Sequence, residues 1–195
     1  MFGSHTGAPP RATPQRRQFL AGLATISFGT WPRPAAALPL GGTLWEEVGQ
    51  ETGCDPHLLY AVALIESAAG SQPGWVVPHP LAIRAPQRPY YPSNLNDARQ
   101  VIHNLKRSNE LTHSAVGMMQ IFVRWHRKRF GDVEELLDAR KNVRVGAEVL
   151  AEALRSAPND RVLGIGRYHT WAQEPVARQY GASVVALWRQ LRALA

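Results

Sequence analysis

The sequence predicts a mainly α-helical domain with at most a small β-hairpin, and three observations carry that prediction. Apolar residues recur at three- and four-residue spacing in one stretch after another from Leu44 to Leu191. Helix start and stop signals bracket those stretches, as in Asp55-Pro56 and Gly53. Five prolines between residues 75 and 93 (Pro78, Pro80, Pro86, Pro89, Pro92) close the one long interval to regular helix. With 195 residues, 45% of them hydrophobic and 19% charged, the chain has room for one domain with a real core.

In chain order, the first 37 residues read as an export signal. Gln15-Arg16-Arg17-Gln18-Phe19-Leu20 precedes an apolar run from Ala21 to Gly29, and Ala35-Ala36-Ala37 supplies small residues for cleavage. The run is too short to span a bilayer. The Arg-Arg-x-Phe-Leu pattern resembles a twin-arginine signal, with Gln15 where Ser or Thr is usual; an ordinary Sec signal is the alternative. The division is therefore residues 1–37 as signal and 38–195 as the mature domain. Thr43 is placed to cap a first helix to about Gln50, and Gly53 ends it. Asp55 and Pro56 start a second, running to Ser67. Ala69 to Gly74 reads as a break, and Leu81–Arg84 with Tyr90-Tyr91 as the small hairpin. Ser93 or Asn94 opens a helix to about Arg107, and Asn109 to Ser114 reads as polar loop. Asp132 caps a helix with Val133, Leu136 and Leu137; Asn142 starts one with Val143, Gly146, Ala147, Leu150 and Leu154 on its stripe. Val162–Tyr168 and about Pro175 to Leu194 complete the set, the last with Val176, Tyr180, Val184, Leu187, Trp188 and Leu191 inward.

Charge and cysteine narrow the function classes. Formal net charge is +7, but residues 1–37 hold four of the 22 basic residues and no acid. Without them 18 basic face 15 acidic residues, an excess of three. No RNP, zinc-ligand or basic-helix pattern accompanies that charge, so no nucleic-acid partner is expected. Cys54 is alone, which leaves no internal disulfide and reads as a small buried residue.

One residue breaks the helical pattern in a chemically pointed way. Leu58 and Val62 share a stripe, and the next member of that stripe is Glu66. An ionised carboxylate buried without a partner is costly, and a carboxylic acid held neutral is what general-acid catalysis requires. The plain alternative is a last-turn residue rotated to water. Three further stretches stand out: Gly117-Met118-Met119-Gln120-Ile121, the run Asp138 to Ala147, and Gly166-Arg167-Tyr168-His169. Taken singly, a methionine pair fills a core, an Asp–Asn pair caps a helix, and a Tyr-His pair decorates a surface.

Glu66-Ser67, Gly117-Met118-Met119-Gln120-Ile121, the Asn142–Ala147 helix and Tyr168-His169, in this order, resemble the soluble lytic transglycosylases. These are lysozyme-like enzymes that cleave bacterial peptidoglycan, with motifs Glu-Ser, Gly-Leu-Met-Gln-Ile, Asn-Ile-x-x-Gly and Ala-Tyr-Asn. The likeness spans about Trp45 to Leu191, and the proline-rich stretch resembles a branch found with conjugation and secretion loci. It implies a lysozyme-like helical domain in the periplasm. Its partner would be peptidoglycan glycan strands, with an envelope-spanning secretion or conjugation apparatus beside it. No integral membrane segment would remain after signal removal.

The resemblance makes Glu66 the catalytic acid/base and Tyr168 a hydroxyl close to its carboxyl. It makes Ser67, Gly117, Met119, Gln120 and His169 substrate-binding residues, with His169 where asparagine is commoner. Two-carboxylate hydrolysis needs a second Asp or Glu about 5–9.5 Å from the acid. After Glu66 the next acid is Asp97, and none falls inside the motifs. The family mechanism, in which the sugar's own 6-hydroxyl closes on C1, suits that shortage and uses no metal or other cofactor. A goose-type lysozyme using water, and an inert glycan-binding scaffold, are the competing readings.

Overall fold

The computed structural model describes residues 40–72 and 75–195, so the export signal read at residues 1–37 lies outside the described residues. The described chain is mainly α, with small antiparallel sheets. Helix α1 (Leu44–Thr52) ends at Gly53, whose φ of 70° is the left-handed stop that a glycine accepts at no steric cost. Thr43 stands at its N-cap, but the hydroxyl donates to the Leu40 carbonyl instead of capping the helix.

Helix α2 (Pro56–Ser67) begins as the sequence predicts, with the Asp55 carboxylate accepting from the Leu58 N–H at 3.0 Å and Pro56 in the first turn. It is the core's central rod: Leu58, Leu59, Ala61, Val62 and Ala63 are all buried. Burying a leucine or valine side chain of this kind is worth about 1.5–3 kcal/mol. Helices α1, α5 (Ala139–Arg155) and α7 (Glu174–Ala193) pack around it.

The interval after α2 holds more strand than the sequence predicts. Strands β1 (Ala68–Gln72) and β2 (Trp75–Pro78) form an antiparallel hairpin where a break was expected. The expected hairpin is present as β3 (Ile83–Arg84) with β4 (Pro89–Tyr90). It is extended by β5 (Ala115–Val116) and β6 (Ile121–Phe122) into a four-stranded sheet of order β4-β3-β5-β6. Alternation cannot be read in two-residue strands, which explains the omission.

Helix α3 (Leu95–Arg107) starts at Asn94, whose side chain accepts from the Asp97 N–H. The polar loop contains a 3-10 turn, Leu111–His113. After α4 (Val123–His126), Asp132 and Glu135 close a reciprocal capping box, but the turn they start, Val133–Leu137, is 3-10 and not α. Asn142 does not start the next helix: Asp138 caps α5, accepting from the Lys141 N–H, and Asn142 lies one turn inside.

Helices α6 (Arg161–His169) and α7 meet closely. A Cβ on Gly166 would overlap the Ala177 carbonyl, and one on Gly181 would overlap the Val162 carbonyl. The two glycines thus let backbones touch, bringing the end of α6 and the first half of α7 to the end of α2. No helix among the described residues is long and apolar enough to cross a membrane.

Candidate active site

Glu66 sits in the last turn of α2, one turn beyond buried Val62. The negative end of a helix dipole is a poor place for a structural carboxylate. The side chain is nonetheless only 11% exposed. Its partner comes from α7: the Tyr180 hydroxyl donates to Glu66 Oε1 at 2.7 Å. His169, at the end of α6, stacks flat on Tyr180 with ring centroids 4.8 Å apart and planes at 10°. Its Nδ1 stands 4.0 Å from the same carboxylate oxygen. Glu66 Oε2 has no protein partner among the described residues and is not sealed from solvent. One oxygen is held and the other is open. From β3, the Arg84 guanidinium reaches toward the backbone carbonyl of Glu66 at 3.5 Å, near the end of α2.

Both tyrosines behave as fixed neutral donors. Burial, together with the nearby Glu66 charge, holds the Tyr168 phenol well above the ordinary tyrosine range. The same causes act on Tyr180, which also feels Tyr168 and donates to Glu66.

The β5–β6 connection builds the adjoining wall. Gly117 has φ 80°, and a Cβ there would overlap the Asn142 side-chain amide. Asn142 is fully buried and satisfied on both sides: Oδ1 accepts from the Met119 N–H at 2.8 Å, while Nδ2 donates to the Val116 and Leu136 carbonyls. Gln120 adopts φ 46°, a conformation non-glycine residues rarely take. Its Nε2 donates to the Gly117 and Ala82 carbonyls at 2.8 and 3.2 Å. Its amide NH2 is therefore engaged inside the protein, and its oxygen is what it can offer a ligand.

The structure brings some of the expected residues together and sets others apart. Glu66, Tyr168 and His169 converge, with Gln120 and Gly117 on the neighbouring turn. The hydroxyl that bonds the Glu66 carboxyl belongs to Tyr180, however; the Tyr168 hydroxyl donates instead to the Met119 carbonyl at 2.7 Å. Met119 is wholly buried, packed on Gly146 of α5, so its side chain offers no contact surface to a ligand. Ser67 is buried, and its Oγ donates back to the Ala63 carbonyl at 3.0 Å. Its own carbonyl accepts from the His79 N–H, which ties the end of β2 to the end of α2. Both residues position the site from behind.

Sequence reasoning placed Tyr180 among the apolar positions of the last helix and missed its role. The available signal was the hydroxyl: a tyrosine on a buried stripe must find a polar partner. Asn142 carried the same signal, an amide on a stripe with Val143, Gly146 and Leu150. Cys54, expected to be buried, is only half-buried; its Sγ faces the Ala147 carbonyl at 3.6 Å, and partial burial pushes the thiol up. No protein-family model matches this chain, and no curated protein or solved structure matches it either.

Proposed function

We propose that this chain is an exported peptidoglycan lytic transglycosylase that cleaves the bond between N-acetylmuramic acid and N-acetylglucosamine without water. The observation that carries the reading is the Glu66 carboxyl, nearly buried, with one oxygen held by the Tyr180 hydroxyl and the other without a protein partner among the described residues. A group so placed serves as a single acid/base. Protonated Glu66 gives its proton to the glycosidic oxygen as the C1–O bond breaks. The substrate's N-acetyl carbonyl stabilises the positive charge at C1. The Glu66 carboxylate then takes the proton of the 6-hydroxyl as O6 bonds to C1, leaving a 1,6-anhydro end and restoring the acid. Tyr180 keeps Oε1 fixed through both transfers, which aims Oε2 at the glycan.

The order of Glu66-Ser67, Gly117–Ile121, Asn142–Ala147 and Tyr168-His169 along the chain supports the same reading, as does the signal-like leader, which points to the periplasm. The likeness of the proline-rich stretch to conjugation- and secretion-associated enzymes suggests work beside an envelope-spanning apparatus. The test is the product. Digestion of purified peptidoglycan is expected to release muropeptides lighter by one water than lysozyme products and resistant to borohydride. Mainly reducible ends would make water the acceptor and the chain a goose-type lysozyme. No release at all would leave a glycan-binding scaffold.

A further inference from the structure

At the far end of α2 from Glu66, about 16 Å along the helix at 1.5 Å per residue, lies a cleft of about 550 Å³. Its walls carry Arg155, Arg161 and Arg192 around Trp188, and Arg189 continues the same wall. Arg161 and Arg192 both place their guanidinium carbon over the Trp188 ring, 5.3 and 5.7 Å from its centroid. Among the described residues, none of these four arginines takes part in an ion pair. The one acid lining the cleft, Asp55, is engaged in capping α2 and accepting the Trp188 indole N–H at 3.0 Å. Glu152 and Asp160, the neighbouring acids in sequence, pair with Arg129 and Arg178.

Helix dipoles explain part of this. Arg155 and Arg192 lie in the last turns of α5 and α7, where a cation is favoured. Arg161 is the first residue of α6, where the dipole opposes it, and Asp160, the acid that caps that helix, is paired with Arg178 and not with Arg161. Four cations sharing one concave wall repel one another, and an anion between them would reverse the sign of every one of those interactions.

We propose that this cleft binds a small ligand through a diphosphate group. The volume is that of a small-molecule site. Guanidinium forks pair bidentately with phosphate oxygens, and two adjacent phosphates match the excess charge better than a single carboxylate. Arg161 and Arg192 both rest on the Trp188 ring, whose indole N–H is held by Asp55. Such a diphosphate comes from a soluble ester or from a lipid-linked headgroup.

Calorimetric titration of the full chain with pyrophosphate is expected to show saturable binding at one site, weakened about tenfold or more in R161Q/R192Q. That variant should digest peptidoglycan at the native rate, since the glycan site is at the other end of α2. Should R161Q/R192Q fail to fold, R155Q/R189Q, on exposed side chains, should show the same weakening. Sedimentation with phosphatidylcholine vesicles carrying a polyprenyl diphosphate distinguishes the sources. Co-sedimentation that pyrophosphate competes away assigns a membrane-borne ligand, and its absence assigns a soluble one. No saturable pyrophosphate binding, or binding that the folded arginine variant leaves unchanged, overturns the proposal.

Discussion

Asn142 and Glu66 are both polar residues set on apolar helical stripes, and the molecule treats them differently. The Asn142 amide is fully buried and makes three hydrogen bonds, each to backbone of the β5–β6 connection or the 3-10 turn before α5. Glu66 makes one side-chain hydrogen bond, to Tyr180, and leaves an oxygen open. A buried polar group whose valences are all filled holds a structure together. One left half-filled at a helix end, where the dipole opposes it, is retained for its chemistry.

Substitutions at the two positions should therefore fail in opposite ways. The largest effect is expected from Glu66→Gln: turnover on peptidoglycan should fall by about a thousandfold or more, because both proton transfers depend on one carboxyl. The thermal midpoint should stay near native, since the amide keeps the shape and can still accept from Tyr180. A glutamine variant that digests at the native rate breaks the contrast. Asn142→Ala should do the reverse. It strands the Met119 N–H and the Val116 and Leu136 carbonyls, costing about 3 kcal/mol or more in denaturant unfolding. Activity per folded molecule should be far less affected than in the glutamine variant.

The two tyrosines sharpen the same contrast. Tyr180→Phe removes the bond that fixes Glu66 and should slow turnover by about 10–100-fold, or 1.4–2.7 kcal/mol. Tyr168→Phe strands the Met119 carbonyl and should cost about 1–2 kcal/mol of stability with a smaller loss of rate. If Tyr168→Phe proves the slower enzyme, the resemblance has assigned the carboxyl's partner better than the geometry does.

A smaller effect belongs to alkaline pH. Both phenols titrate above their unfolded value, so the folded state holds protons that the unfolded chain releases. Their contribution is complete below about pH 10, the ordinary tyrosine value, and declines as pH rises beyond it. Thermal midpoints measured from pH 8 to 11.5 should fall less steeply above pH 10 in Y168F/Y180F than in the native chain.

Much of the helical frame was legible because its signals are local. Asp55-Pro56 and Asn94 start helices where they stand, and Gly53 stops one. The errors mark where local signals compete. Asn142 has a cap's chemistry, yet Asp138 is placed one turn earlier and takes the role, freeing Asn142 for the core. Strands of two residues carry no period, and β1 holds small and polar residues that read as a break. At the site, Glu66 was visible as a violation of its own stripe. Tyr180 was not, because a tyrosine on an apolar stripe violates nothing until its hydroxyl is asked for a partner 114 residues away.

Whether Glu66 works alone, with the sugar's own hydroxyl in place of water, is decided by digesting peptidoglycan in water enriched in oxygen-18. Mass spectrometry of the released N-acetylmuramic acid ends should find no label at C1, because O6 of the same sugar fills that position. Uptake of one labelled oxygen at C1 by most chains would show that water attacks and that Glu66 does not work with the 6-hydroxyl.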